Sequence, residues 1–104
     1  MSRNPTHKWL LRTKPDAQKA FDHLPSAQKQ AVFRRLQELL SSDDPYSLGF
    51  VEMLKAKEFE RIRKFRAGDY RVFFSIRSGE VIDQQHTYKG KLYLLEIRDR
   101  KDAY

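Results

Sequence analysis

The spacing of apolar positions changes character along this chain. Residues 8–13 (KWLLRT) form a short apolar run ending at Lys14-Pro15, which predicts a first strand handed directly to a helix with proline in its first turn. Within DAQKAFDHL, Ala17, Ala20, Phe21 and Leu24 recur at i, i+3, i+4 and i+7, the spacing of one buried helical face, and Pro25 stops that helix. Residues 26–42 repeat the pattern with Val32, Leu36, Leu39 and Leu40 and hold no internal Gly or Pro, so a second helix is predicted there. The turn chemistry of Ser41-Ser42-Asp43-Asp44-Pro45 ends the helical hairpin.

From Val51 onward strand formers dominate. VEML, FERIRKFR, DYRVFFSIR and KLYLLEIR, separated by Ala67-Gly68-Asp69 and by residues 78–90, predict three further strands. The 78–90 segment reads equally as an extended hairpin tip or as a loop, with HTYKGK offering a second turn signal. Strand, helix, helix and then an antiparallel strand meander describe an α+β fold with the helices packed on one face of the sheet and the other face free. At 104 residues the expectation is a single domain over 1–104.

Composition narrows the function. Twenty-one Lys and Arg against 14 Asp and Glu give a formal charge of +7, which favours polyanionic partners. The first 50 residues carry 8 basic and 5 acidic side chains and the rest 13 and 9, so any concentrated basic patch has to be assembled by folding. Without cysteine there is no thiol nucleophile, disulfide or thiolate metal site. The four glycines form no phosphate loop, and neither His7, His23 and His86 nor the carboxylates Glu58, Glu60, Glu80, Asp83 and Glu96 show ligand spacing; no nucleotide cofactor, other cofactor or metal is expected. No run approaches a membrane span and MSRNPTHKWLLRTK lacks the apolar stretch of a signal peptide, so no membrane association and a cytoplasmic location are expected.

The densest basic segment runs from Lys55 to Arg71 and holds Lys55, Lys57, Arg61, Arg63, Lys64, Arg66 and Arg71 against Glu58, Glu60 and Asp69. Strand alternation sorts it. Lys64 and Arg66 share one side with Phe65 and Ala67 on the other, and across the turn Val72, Phe74 and Ile76 alternate with Arg71, Phe73 and Ser75. One face of the sheet is oily and the other cationic. Such a crowd of like charges is self-repelling unless an anion binds, and Phe73 on that face reads either as a partly buried sheet aromatic or as a ring that stacks a base.

KFRAGDYRVFFSI followed by LLEIRDRKDAY resembles the two signature blocks of the RelE/ParE toxin superfamily. A Trp-containing first strand, FDHLP closing one helix, LQELL closing the next, and V-x-x-L-K before the basic strand are similar in order, so the resemblance spans residues 9–104. The RelE-type branch implies a toxin of a type II toxin–antitoxin system, a metal-independent and ribosome-dependent endoribonuclease (mRNA interferase) with a cognate antitoxin, the ribosome and messenger RNA as partners. Its pattern falls on Lys64, Arg66, Arg71, Arg98 and Tyr104 as catalytic residues; Lys55, Lys57, Arg61, Arg63, Phe73 and Arg100 are further expected RNA contacts. The implied reaction is attack of an RNA 2′-hydroxyl on the adjacent phosphate: Tyr104 is the base when guanidinium groups favour its phenolate, Arg71 grips phosphate oxygens, and Arg98 stabilises leaving-group charge. This sequence departs from that pattern at Ile62, two residues before Lys64, where a basic residue is frequent; Arg61 or Arg63 fills the space if the hairpin is bulged, or Lys55 or Lys57 reaches in. Two alternatives share the fold, a non-enzymatic ParE-like DNA gyrase inhibitor and an inactive module that binds an acidic protein.

Overall fold

A computed structural model describes residues 7–54 and 61–99. Strand β1 (Trp9–Thr13) leads into helices α1 (Pro15–Asp22) and α2 (Ser26–Ser41), then a 3-10 turn (Pro45–Ser47) and strands β2 (Glu52–Met53), β3 (Ile62–Ala67), β4 (Tyr70–Asp83) and β5 (His86–Asp99). The strands form one sheet in the order β1-β5-β4-β3-β2. VEML contributes only the two-residue edge strand β2, which makes four strands after the helices where three are expected from sequence. The meander β2 to β5 is antiparallel throughout, whereas β1 lies parallel to β5, so the sheet is mixed. A parallel neighbour needs a crossover, and here the whole intervening chain supplies it.

The predicted periodicities coincide with burial. Ala17 on α1 and Val32, Leu36, Leu39 and Leu40 on α2 are the buried helical positions, and they close on Phe65, Ala67, Val72, Phe74, Leu92, Leu94 and Ile97 of the sheet. Pro15 at the first turn of α1 loses nothing by lacking an N–H there, and Pro25 stands at the N-cap of α2. Among the described residues no polar or charged residue is buried as a whole, so the core is built mainly by apolar contact.

Tyr46 ties the 3-10 turn to the sheet where β3 begins. Its hydroxyl donates to the carbonyl of Arg61 and accepts the N–H of Ile76 at 2.8 Å, a backbone group that lies beyond the last β3–β4 pair, Ile62 with Ser75. Its ring packs 5.9 Å from Phe74. At the opposite edge Trp9 donates its indole N–H to the carbonyl of Ser42 at 2.8 Å, and Asp43 receives Lys8 at 2.7 Å and Lys89 at 3.6 Å. The hydrogen bond and charge of Lys8, aided by the charge of Lys89, hold the Asp43 carboxyl below its ordinary range.

The 78–90 segment is a hairpin tip. Beyond Ser78 and Gly90 the strands continue past an extra residue on β4 and close through Gln84-Gln85, both with positive φ (48° and 71°), the signature of a two-residue type I′ turn. At the root of that hairpin Gly90 has no room for a side chain: a Cβ would lie 2.2 Å from the Arg77 carbonyl oxygen and 2.8 Å from the Trp9 ring. Gly90→Ala is therefore expected to cost about 1–3 kcal/mol as overpacking. Thermal unfolding reads this as a fall of roughly 4–8 °C per kcal/mol; an unchanged midpoint would contradict the packing at this corner.

Candidate nucleic-acid interface

The face of the sheet away from the helices is set by register. Arg66 on β3 lies opposite Arg71 on β4, and Arg71 lies opposite Arg98 on β5, so three arginines stand in one row across three adjacent strands. The neighbouring row is Glu52, Lys64, Phe73 and Glu96, and the next contains Ile62, Ser75, Tyr93 and Arg12. The tight β3–β4 connection makes the first row possible: Gly68, at φ 63°, allows a two-residue Gly-Asp turn that pairs Ala67 with Tyr70 and so Arg66 with Arg71.

Arg98 reaches this face only because β5 is bulged. Phe73 pairs with Glu96 and Phe74 with Leu94, leaving Leu95 as an extra residue. Uninterrupted alternation from the buried Leu92 and Leu94 would send residues 96 and 98 to the core. The bulge instead buries Ile97 and turns Glu96 and Arg98 to the open side.

Directly opposed like charges destabilise a sheet. Two carboxylates temper this one: Glu96 accepts the Nε–H of Arg98 at 2.5 Å, and Glu52 lies 3.9 Å from Lys64. Both were absent from the expected site; the only sequence signal for them is a place two residues from Arg98 and in the edge strand beside Lys64. Arg98 also stands 5.7 Å from the ring centre of Phe73. Exposed pairs of this kind contribute about 0.2–1 kcal/mol. At its outer end Arg66, Gly68, Asp69, Tyr70 and Arg71 line a polar recess of about 130 Å³.

The remaining expected residues do not all join the row. The β3–β4 register is continuous, so the hairpin carries no bulge that would bring Arg63 to the open face in place of Ile62. Arg63 points to the helical side, its guanidinium 4.4 Å from the Tyr46 ring centre, and Ile62 takes the open-face position. Arg61 stands at the rim of a neighbouring cavity with Ser75 and Tyr93. Lys55, Lys57, Arg100 and Tyr104 lie outside the described residues. Among the described residues no three His, Asp or Glu side chains group as metal ligands, and no helix is long and apolar enough to cross a membrane.

No family model and no curated protein matches the chain. Solved structures do. A chain of the archaeal RelE–RelB complex from Pyrococcus horikoshii OT3 superposes with a TM-score of 0.60 and 21% identity, covering 92% of this chain and 99% of that one. A chain of the RelB–RelE antitoxin–toxin complex from Methanococcus jannaschii gives 0.60 and 15% over 88% and 93%, and one from the toxin–antitoxin complex RelBE2 of Mycobacterium tuberculosis gives 0.50 and 18% over 89% and 99%. At these identities the likeness establishes the fold: the chain has a RelE-type toxin fold.

Proposed function

We propose that this chain, built on the RelE-type fold, is the toxin of a toxin–antitoxin pair and a metal-independent endoribonuclease that cuts messenger RNA on the ribosome. The observation that carries the reading is the register Arg66–Arg71–Arg98, three arginines in adjacent strands on the face opposite the described helices. The solved neighbours being complexes of RelE with RelB supports an antitoxin as the cognate partner.

Cleavage needs a base for the 2′-hydroxyl, a stabiliser for the crowded phosphorane and help for the departing 5′-oxygen. Arg71, central in the row, grips two phosphate oxygens with its planar fork, and Arg66 and Arg98 flank the charge that develops. Lys64 sits one row inward, about 6.6 Å along β3 from Arg66 at the rise of a strand, and supplies a proton to the leaving oxygen directly or through water. Arginine does not serve as that donor because its guanidinium keeps its proton throughout the physiological range. Strand β5 delivers the chain to this end of the sheet at Asp99, paired with Tyr70, five residues before Tyr104, the proposed base.

The test is induction in growing cells with mapping of messenger RNA 5′ ends. Cuts clustered in translated codons are expected, whereas intact messages accompanied by DNA damage signalling would move the assignment to gyrase. In solution, RNA affinity should fall steeply as salt rises, because each neutralised phosphate releases counterions, and Arg71→Ala should lower the salt slope by about one. Affinity indifferent to salt would contradict a phosphate-gripping face.

A further inference from the structure

Next to the arginine row the open face is apolar. Leu54, Ile62, Phe73 and Leu95 form a concavity of about 360 Å³ whose rim carries Lys14, Glu96 and Arg98. We infer that this concavity is a base-binding subsite: it takes one unstacked nucleobase of single-stranded RNA, laid against Phe73, while that nucleotide's backbone phosphate is held on the arginine row. The inference rests on the ribonuclease reading above and adds to it what the enzyme does with a base.

The concavity adjoins the row directly, since Phe73 follows Arg71 by two residues on the same face of β4, about 6.6 Å along the strand. Arg98 belongs to both, standing in the row and in the wall. A ligand that spans them must be anionic at one end and flat and apolar at the other, with the two joined by a short spacer. A nucleotide within RNA has that form, and single-stranded RNA is read by splaying its bases onto aromatic rings and guanidinium planes. The two features that depart from simple strand chemistry both serve the cavity. Ile62 stands where a cation would have continued the basic line of Arg66 and Lys64 along β3, and the bulge residue Leu95 has no pairing partner on β4. The polar rim of Lys14, Glu96 and Arg98 orients a base edge, whereas an apolar protein side chain would gain nothing from it.

The test is binding of single-stranded RNA hexamers that are intact or carry one abasic nucleotide at each position in turn, using wild type, Phe73→Ala and Phe73→Trp. For wild type, one abasic position should weaken binding roughly 5- to 150-fold, the range of a lost base–aromatic stack, and the others much less. In Phe73→Ala that position should lose its effect, and Phe73→Trp should restore it; thermal unfolding checks that each variant is folded. Equal affinity of wild type for intact and abasic RNA, with salt dependence retained, would overturn the subsite but leave the phosphate row standing, and the cavity would then suit an apolar protein side chain. Salt-independent binding would overturn both readings together.

Discussion

An Arg71→Ala variant is expected to unfold at nearly the wild-type temperature, yet to cleave message roughly ten- to a hundredfold more slowly and to bind RNA more weakly. Its folding survives because the core at this point of β4 is made by Val72 and Phe74, which point the other way, and because the β3–β4 pairing is a backbone matter. Activity is lost because Arg71 is the middle of the row, the one arginine opposite both others. A charge-assisted hydrogen bond contributes about 1.5–3 kcal/mol, and each 1.4 kcal/mol is a factor of ten. Because a guanidinium held on the phosphate binds it more strongly as charge builds in the phosphorane, the rate at saturation should fall as well as the affinity. Single-turnover rates at saturating protein, beside affinities for the uncut message, separate the two losses. Unchanged cleavage with weakened binding would reduce Arg71 to a docking residue, and retained toxicity without RNA cleavage would favour gyrase as the target.

Tyr104→Phe is expected to act differently, cutting the rate by about 10² to 10⁴ with ribosome binding preserved. The substitution keeps the ring and deletes the ionisable oxygen, and a general base works in the transition state and not in docking. Guanidinium groups near the Tyr104 hydroxyl would favour its phenolate by charge attraction. Full activity in Tyr104→Phe would remove the tyrosine oxygen from the chemistry and leave stacking as its only role.

Most of the framework was legible because it obeys simple periods. The 3.6-residue spacing of Val32, Leu36, Leu39 and Leu40 and the alternation of Phe65, Ala67, Val72 and Phe74 name the core, and the same alternation sets Lys64, Arg66 and Arg71 on the opposite face. What alternation could not reach was β5. Its sequence LYLLEIR carries a Leu-Leu doublet at 94 and 95, the trace of a bulge, and only the bulge brings Arg98 and Glu96 to the side of Arg71. Without that register shift Arg98 is placed on the open face by resemblance alone. The parallel placement of β1 was also hidden, because the pairing partner of a first strand is a tertiary choice and leaves no local mark. Arg63 was legible only as a basic residue: its neighbour Tyr46 offers a ring face, and the guanidinium stacks there on the helical side.

The central claim, transesterification of RNA on this cationic face, meets its most direct test in a message positioned on ribosomes and carrying a single 2′-deoxynucleotide at the cleaved position. Attack by the 2′-hydroxyl on the adjacent phosphate leaves a 2′,3′-cyclic phosphate on one fragment and a 5′-hydroxyl on the other. The account predicts those ends from the all-RNA message, and no cleavage at that position once the single oxygen is missing. Cleavage that proceeds equally well through the deoxy position, or a message left whole by active protein, would contradict it.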